Sequence, residues 1–328
     1  MTDTPEPHRI DVHAHHIAPA YRQALNDAEM WMIGGLPVAE WSPELALAFM
    51  DAHGIQTQIL SVSDPGVEFV AAEKRLELAR ACNDYAASVR DEHPSRFGAF
   101  AVVPLSDPQA ALGEAVRALE ELHLDGIGLL SSSEGRYLGD PAFEPLIAEL
   151  DRRGAWVFVH PTAVGSTDKP SYQIPDFVAE FPFDTTRTII SLIFNGMFDR
   201  HRNLRWQFAH GGGTVPMLHL RLTALGAGAK DLGPLIGLPE GSSILTVESV
   251  ARALSSAFYD TALIFDEPGL AAVSAMAGAE RLLFGSDWPF AARLYPDDGD
   301  PQPALARAFD AGLRQQIERD TALSQLPR

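Results

Sequence analysis

Residues 9–15 read Arg-Ile-Asp-Val-His-Ala-His, a short β-rich run that ends on two histidines. Seven more short apolar runs follow along the chain, and longer segments with the apolar spacing of helices separate them. Repeated strand–helix units predict a parallel sheet with right-handed crossovers. Eight units without linker composition between them favour a closed (β/α)8 barrel over an open sheet. The predicted strands are Arg9–His15, Thr57–Val62, Phe97–Pro104, Gly126–Leu130, Trp156–His160, Arg205–His210, Ala257–Ala262 and Arg281–Ser286.

Start and stop signals bound several of the predicted helices. Ser42 is a predicted N-cap, Pro43 takes the first helical position, and Gly54 follows the end of helix Glu44–His53. No Gly-x-Gly-x-x-Gly follows the first strand, which argues against a dinucleotide-binding sheet. Three aspartates precede further predicted helices: Asp107 before Gln109–His123, Asp140 before Ala142–Arg153, and Asp184 before Thr185–Arg200.

Two connections exceed the usual two to six residues. The first, residues 17–41, carries aromatic and methionine side chains that either close over a substrate or pack on the barrel rim. The second, residues 225–256, is rich in Gly, Pro and Leu and is predicted to be an insertion. We expect residues 1–328 to form one TIM-barrel domain, since such barrels run to ~250 residues or more as one unit.

Composition excludes several classes of protein. The net charge of −19 argues against nucleic acid or an anionic membrane as partner. The single cysteine, Cys82, excludes an intrachain disulfide, and its apolar-periodic surroundings predict a buried, unreactive thiol. The N-terminus is polar and no run of about 18 apolar residues occurs, so we expect a cytoplasmic protein.

Histidines are concentrated at the C-terminal ends of predicted strands, which form the active-site face of such a barrel. Strand eight ends in Gly-Ser-Asp, residues 285–287. His13 and His15 are two residues apart, so both imidazoles can reach one ion. Asp11 shares their parity and is expected to orient a ligand. The histidines at strand ends are His13, His15, His160 and His210.

This pattern predicts one divalent metal ion held by His13, His15, His160 and Asp287. Neutral imidazole and carboxylate suit Zn²⁺, Mn²⁺ or Fe²⁺; we expect Zn²⁺, with Mn²⁺ as the alternative. The residual charge near +1 attracts an anionic substrate, and open coordination positions suit catalysis. His210 is interpreted as an acid–base group beside the metal, although the residue types also allow a ligand. The glycines at 211–213 would let backbone approach a substrate closely.

Four motifs resemble the amidohydrolase superfamily, in the right order over roughly residues 9–310. More narrowly they resemble its aminocarboxymuconate-semialdehyde decarboxylase branch, and the intervening sequence is similar to 6-methylsalicylate decarboxylase-like proteins. The motifs are Asp-Val-His-Ala-His (11–15), Val-His-Pro-Thr (159–162), Ala-His-Gly-Gly-Gly (209–213) and Gly-Ser-Asp-Trp-Pro-Phe (285–290).

The resemblance implies residue roles. It implies the metal ligands named above, His210 as the catalytic histidine and Asp287 as the proton donor. It also implies that Arg221, eleven residues past His210, reaches the substrate carboxylate across a dimer interface. We therefore expect a homodimer or a higher homo-oligomer.

The resemblance further implies a metal-dependent, non-oxidative decarboxylase acting on a small aromatic carboxylate. In the semialdehyde decarboxylase, arginines before the Trp-x-Pro-Glu segment help to hold a dicarboxylate, whereas residues 31–50 here contain neither Arg nor Lys. This favours a hydroxylated monocarboxylate such as 6-methylsalicylate, with Trp288 against its ring. The alternative is a hydrolase of a lactone, ester or amide, or a hydratase, on the same scaffold. A purely structural metal site is disfavoured, because such sites lack spare acid–base groups.

Overall fold

Eight parallel strands follow one another around a barrel in sequence order. The computed structural model describes residues 8–162, 174–236, 245–295 and 299–326, without the side chains of 229–236. The predicted barrel is therefore confirmed. β1, β4 and β5 have the predicted bounds, and the other strands differ by one to three residues at their ends. The strands are β1 Arg9–His15, β2 Ile55–Ser61, β3 Phe97–Val102, β4 Gly126–Leu130, β5 Trp156–His160, β6 Arg205–Phe208, β7 Phe258–Asp260 and β8 Leu282–Leu283.

The barrel closes between its first strand and the segment that follows its last. The amide of Val12 donates to the carbonyl of Phe284 at 3.0 Å, and the amide of Asp287 donates to the carbonyl of His13 at 2.7 Å. Ala14 forms a further parallel bridge with Trp288. The seam of the barrel therefore runs through the residues expected to hold metal.

A β-bulge in β1 changes which side chains face the barrel interior. Asp11 is paired with Gln58, but Ala14 is paired with Leu60, so β1 contains one residue more than β2 between these two pairs. Such an extra residue re-aims the side chains that follow it. Ile10 and Val12 lie in the interior apolar cluster, and after the bulge His13 and His15 face inward. The interior cluster comprises Ile10, Val12, Ile59, Phe100, Trp156, Phe158, Ala209, Phe258, Leu283 and Ala322.

Helices alternate with the strands and pack around them. No helix in the described part of the chain is long and apolar enough to span a membrane. The helices are α1 Pro19–Asp27, α2 Pro43–Ala52, α3 Ala72–Glu92, α4 Pro108–Glu120, α5 Glu144–Arg152, α6 Asp176–Phe194, α7 Met197–Arg200, α8 Val215–Ile236, α9 Val247–Ser256, α10 Glu267–Ala277, α11 Leu305–Ala308, α12 Ala311–Gln315 and α13 Thr321–Gln325.

Side-chain caps begin several helices as the sequence predicts. The hydroxyl of Ser42 accepts from the amide of Leu45 at the start of α2. Asp107 caps α4 in the same way, and Asp140 caps the 3-10 turn Pro141–Phe143 that leads into α5. These side chains satisfy amides that have no partner inside the helix.

The predicted start of α6 is wrong. Asp184 does not cap a helix at Thr185, because the helix begins at Asp176 and continues through Pro182. Asp184 is buried instead, where it accepts from Ser131, Tyr137 and the amide of Thr162. The predicted end at Arg200 is also wrong: α6 stops at Phe194, and Gly196, with φ 70°, separates it from α7.

The two long connections contain regular structure. Residues 17–41 form α1 and a hairpin whose strands are Met32–Ile33 and Leu36–Pro37. The predicted insertion at 225–256 is mostly helical where it is described, since α8 runs on to Ile236 and α9 spans Val247–Ser256. Residues 237–244 of that insertion lie outside the described residues.

Candidate metal centre and active site

Four buried side chains meet at the C-terminal mouth of the barrel. One ligand atom each from His13, His15, His160 and Asp287 lies within 4.8 Å of all the others. His13 Nε2 lies 3.2 Å from His15 Nε2, and His15 Nε2 lies 3.0 Å from Asp287 Oδ1. The structure thus brings together the four residues that the sequence singles out, from β1, from β5 and from the segment after β8.

The second ring nitrogens of His13 and His160 face acceptors that fix the imidazoles. His13 Nδ1 lies 3.0 Å from the carboxylate of Asp260, and His160 Nδ1 lies 2.7 Å from the carbonyl of Pro161. A carbonyl or carboxylate oxygen can only accept, so each Nδ1 carries the hydrogen. The Nε2 atoms are left with lone pairs directed toward the cluster.

His15 is oriented by a serine on the neighbouring strand. Its Nδ1 lies 2.9 Å from the hydroxyl of Ser61, and that hydroxyl donates to the carbonyl of Ala14 at 3.1 Å. Since the serine proton is used by the carbonyl, Ser61 accepts from the imidazole. His15 therefore also presents a bare Nε2, the tautomer that binds a metal.

The electrostatic surroundings of the cluster favour a positive charge at its centre. Burial lowers the pKa of His15 and of His160, which keeps both neutral. Burial also acts to lower the pKa of His13, but the carboxylates of Asp260 and Asp287 outweigh it and raise that pKa to about 10. A divalent cation supplies this charge in place of a proton. Three imidazoles and one carboxylate are a donor set that suits Zn²⁺ or Mn²⁺, so these residues fit a metal ion.

Asp287 is held in its charged form. Burial alone would raise its pKa, but contacts with His13, His15 and His210 keep the pKa well below its usual range.

Asp260, at the end of β7, is a site residue that sequence reasoning missed. Its two oxygens serve different partners: Oδ2 lies 3.0 Å from His13 Nδ1, and Oδ1 accepts from the amide of His210 at 3.0 Å. The signal was its place at a strand end. Asp11, which parity suggested would orient a ligand, instead accepts from the amide of His13 and from Ser286, because the bulge in β1 turns it away from the imidazoles.

His210 lies beside the cluster rather than in it. Its Nε2 lies 3.6 Å from Asp287 Oδ2 and has no hydrogen-bond partner among the described residues, although it is buried. The glycines after it approach protein, not an open site. A Cβ on Gly212 would press on Tyr259, and one on Gly213 would overlap the carbonyl of Pro182. These glycines were expected to let the backbone approach a substrate. In the structure they instead allow the backbone to pack closely against α6 and β7.

A cavity of about 20 Å³, lined mainly by apolar side chains, adjoins the cluster. The hairpin of residues 32–37, helix α6 and the segment after Asp287 form its walls. Its volume is close to that of one or two waters by the usual measure of ~10–15 Å³ each, so an aromatic ring enters only when a wall moves. The lining residues are Ile33, Gly34, Leu36, Ser63, His160, Phe177, Phe181, Leu263, Asp287, Phe290, Ala291 and Leu294.

Two predicted substrate-binding residues do not line this cavity. The ring of Trp288 stacks on Phe49 of α2, with centroids 5.3 Å apart. Arg221 is exposed on α8. The parts of the first connection, residues 17–41, differ in their surroundings. Tyr21 and Trp41 are buried in the core, whereas the hairpin covers the cavity.

Cys82 is buried in α3, as the sequence predicts. Burial raises the pKa of its thiol to about 12, so almost none is thiolate at neutral pH. Because the thiolate is the reactive form, Cys82 is a packing residue.

Comparison with known proteins identifies this arrangement. A sequence model of the amidohydrolase family matches residues 10–327. The chain belongs to the amidohydrolase family. This amidohydrolase is 37% identical to the 6-methylsalicylic acid decarboxylase of Aspergillus aculeatus, covering 98% of this chain and 96% of that protein.

Two further comparisons concern a sequence relative and a protein of the same fold. It is 31% identical to the 2-amino-3-carboxymuconate-6-semialdehyde decarboxylase of Dictyostelium discoideum, covering 76% of this chain and 67% of that protein. The crystal structure of 5-carboxyvanillate decarboxylase from Novosphingobium aromaticivorans, complexed with manganese and a nitrobenzoic acid, superposes with a TM-score of 0.83 at 22% identity, covering 99% of each chain. The superposition shows a shared fold, and the two decarboxylase sequences confirm the expected branch.

Proposed function

We propose that this amidohydrolase is a metal-dependent carboxy-lyase that decarboxylates 6-methylsalicylate or a related 2-hydroxybenzoate. The observation that carries the proposal is the placement of one His–Asp cluster against an apolar cavity wall. An aromatic ring with one carboxylate and an ortho hydroxyl matches this arrangement. Its oxygens would face the cluster and its ring carbons would face the apolar wall. The similarity to a 6-methylsalicylic acid decarboxylase over nearly the whole chain supports the same substrate class.

We assign His13, His15, His160 and Asp287 as the ligands of one divalent ion. When bound, the ion polarises and orients substrate oxygens. The bare Nε2 atoms and the low pKa of Asp287 support this assignment. Zn²⁺ is our first choice and Mn²⁺ the alternative, since this donor set accepts both and the 5-carboxyvanillate decarboxylase structure contains manganese.

Asp287 and His210 are assigned to proton transfer. Direct loss of CO2 from an aryl carboxylate would leave an unstable sp² carbanion, so the ring carbon is protonated first. Asp287 lines the cavity and places the proton on that carbon; His210, 3.6 Å away, exchanges a solvent proton with it. The carbon–carboxylate bond then breaks, its electron pair restores aromaticity, and CO2 leaves. This order suits a carboxylate whose resting pKa is low, because its proton is needed only during turnover.

Hydrolysis on the same scaffold is the competing function. It requires a water positioned for attack beside the cluster. Apart from His160 and Asp287, Ser63 is the one polar side chain that the described residues contribute to the cavity lining. The apolar wall therefore favours decarboxylation.

We further propose a homodimer in which Arg221 serves the neighbouring subunit. Arg221 is exposed on α8 beside Met217 and Leu220, which are 78% and 71% exposed. These two exposed apolar side chains would be covered if α8 packed against a second subunit. Trp288 is not retained as a substrate contact, because its ring packs on Phe49.

The function is tested with metal-loaded enzyme on a substrate panel. We expect CO2 and phenolic product from 6-methylsalicylate, with kcat/KM above that for aminocarboxymuconate semialdehyde, because the described cavity lining offers no cation for a second carboxylate. The matched control is 2-methylbenzoate, which lacks only the hydroxyl and should not react. Turnover of lactones or esters alone would overturn the proposed function.

A further inference from the structure

A second, larger cavity lies at the other end of the barrel. It has a volume of about 370 Å³, within the range of roughly 300–1,000 Å³ usual for ligand sites. Arg205 and Phe258 begin β6 and β7, and Arg281 immediately precedes β8. These positions mark the N-terminal ends of the strands, whereas His210 and Asp287 follow the C-terminal ends. The cavity is therefore separate from the catalytic mouth.

Four arginines line this cavity, and no Asp or Glu does among the described residues: Arg202, Arg205, Arg252 and Arg281. Asp199, on α7, is the one carboxylate of the described residues within ion-pair distance of them, and it pairs with both Arg202 and Arg252. The arginines therefore exceed their carboxylate partners by three charges. In a chain of net charge −19, this is a local reversal of sign.

The two arginines at the strand ends lack a carboxylate partner in the described part of the chain. Arg205 donates only to backbone carbonyls, those of Gly154 and Gln325. The guanidinium of Arg281 lies over the ring of Phe258, 5.1 Å from its centroid. Burial lowers the pKa of Arg205, the effect expected of a cation withdrawn from water without a counter-ion.

We propose that this cavity binds a small polyanion, a phosphate ester or a polycarboxylate, through Arg205, Arg252 and Arg281. Guanidinium groups present a planar fork of donors that matches the adjacent oxygens of phosphate and carboxylate. Phe198, Leu204 and Trp206 line the same space and contact the carbon skeleton of the ligand. Because the cavity is remote from the metal cluster, the ligand binds the folded enzyme without occupying the substrate site.

The test is calorimetric titration of metal-loaded enzyme at low salt with 3-phosphoglycerate and, separately, tricarballylate. Saturable binding of either supports the proposal, and the tighter of the two identifies phosphate or carboxylate as the source. Arg281→Gln and Arg252→Gln should each raise Kd by about ten-fold, the usual effect of removing one charge-assisted hydrogen bond.

The matched control is Arg152→Gln, which removes the same charge from an exposed arginine on α5 that does not line the cavity. It should leave Kd unchanged. Binding of neither anion would overturn the proposal, and so would an equal loss in Arg152→Gln, which would indicate general charge screening. Thermal unfolding of each variant verifies that it is folded, and a Kd unaltered in folded Arg281→Gln and Arg252→Gln would also overturn it.

Discussion

His210 is fixed through its backbone amide, and its Nε2 makes no hydrogen bond to the described residues. His210→Ala therefore removes little that supports the fold. We expect the variant to keep near-stoichiometric metal while kcat/KM falls by about 10²-fold or more, as for loss of an acid–base group. Metal content by elemental analysis and steady-state kinetics measure the two effects.

The control for that prediction is His219→Ala, since His219 lies on α8 and contacts the carbonyl of Pro216 rather than the cluster. It should retain both metal and activity. If His210→Ala loses the metal together with activity, His210 is a ligand and its assigned role is wrong.

At the scale of residues, the sequence was informative where side chains sit at strand ends. His13, His160 and Asp287 could be placed at one point because parallel strands bring their C-terminal ends together. Asp260 could not be assigned to His13, because their contact joins β7 to β1 and nothing local in either strand specifies it. The misplacement of Asp11 has a similar origin, since a β-bulge depends on the register of two strands.

At the scale of elements, the packing of the residues after β6 against α6 should control stability. Gly213 has φ 65° and ψ −123°, and a Cβ there would overlap the backbone of Pro182. A side chain at positive φ alone costs about 1–3 kcal/mol of folding stability. Because Gly213→Ala adds the overlap with Pro182 to this strain, it should lower Tm by more than strain alone would. Thermal unfolding followed by circular dichroism measures the difference.

Gly135→Ala is the comparison variant, because Gly135 also has positive φ but has nothing within 4 Å of an added Cβ. It reports backbone strain without overlap. Equal Tm losses in the two variants would show that the contact with Pro182 contributes nothing.

The start of a helix could be predicted from its N-cap residue where that side chain bonds within its own helix. Ser42 and Asp107 cap the helices that they precede, because the capping bond joins residues two or three apart. Asp184 looks the same in sequence, yet it accepts hydrogen bonds from Tyr137 and Ser131. These residues lie 47 and 53 positions away along the chain. Tertiary hydrogen bonding thus overrode the capping preference and left α6 to begin at Asp176.

At the scale of the whole molecule, the proposed dimer makes a quantitative prediction. Arg221→Ala and Asp287→Asn chains should each be inactive alone. Random pairing gives heterodimers in half of the dimers, each with one complete site, so about a quarter of wild-type activity should return in a symmetric dimer. The measurement is activity after subunit exchange, with size-exclusion chromatography to verify the dimer.

Exchange of Arg221→Ala chains with themselves is the control and should restore nothing. If the mixture also stays inactive while heterodimers form, Arg221 acts within its own subunit. A fully active monomer would exclude the shared site altogether.

The seam of the barrel also has a consequence for biosynthesis. His15 and Asp287, which lie 3.0 Å apart in the folded protein, are separated by 272 residues along the chain. At ~5–20 residues per second, a ribosome needs roughly 15–50 s to travel from one to the other. The histidines of β1 emerge long before their carboxylate partner, and the barrel cannot close until the segment after β8 has left the exit tunnel. Metal acquisition with the full set of proposed ligands is thus delayed until the segment after β8 has been synthesised and can fold.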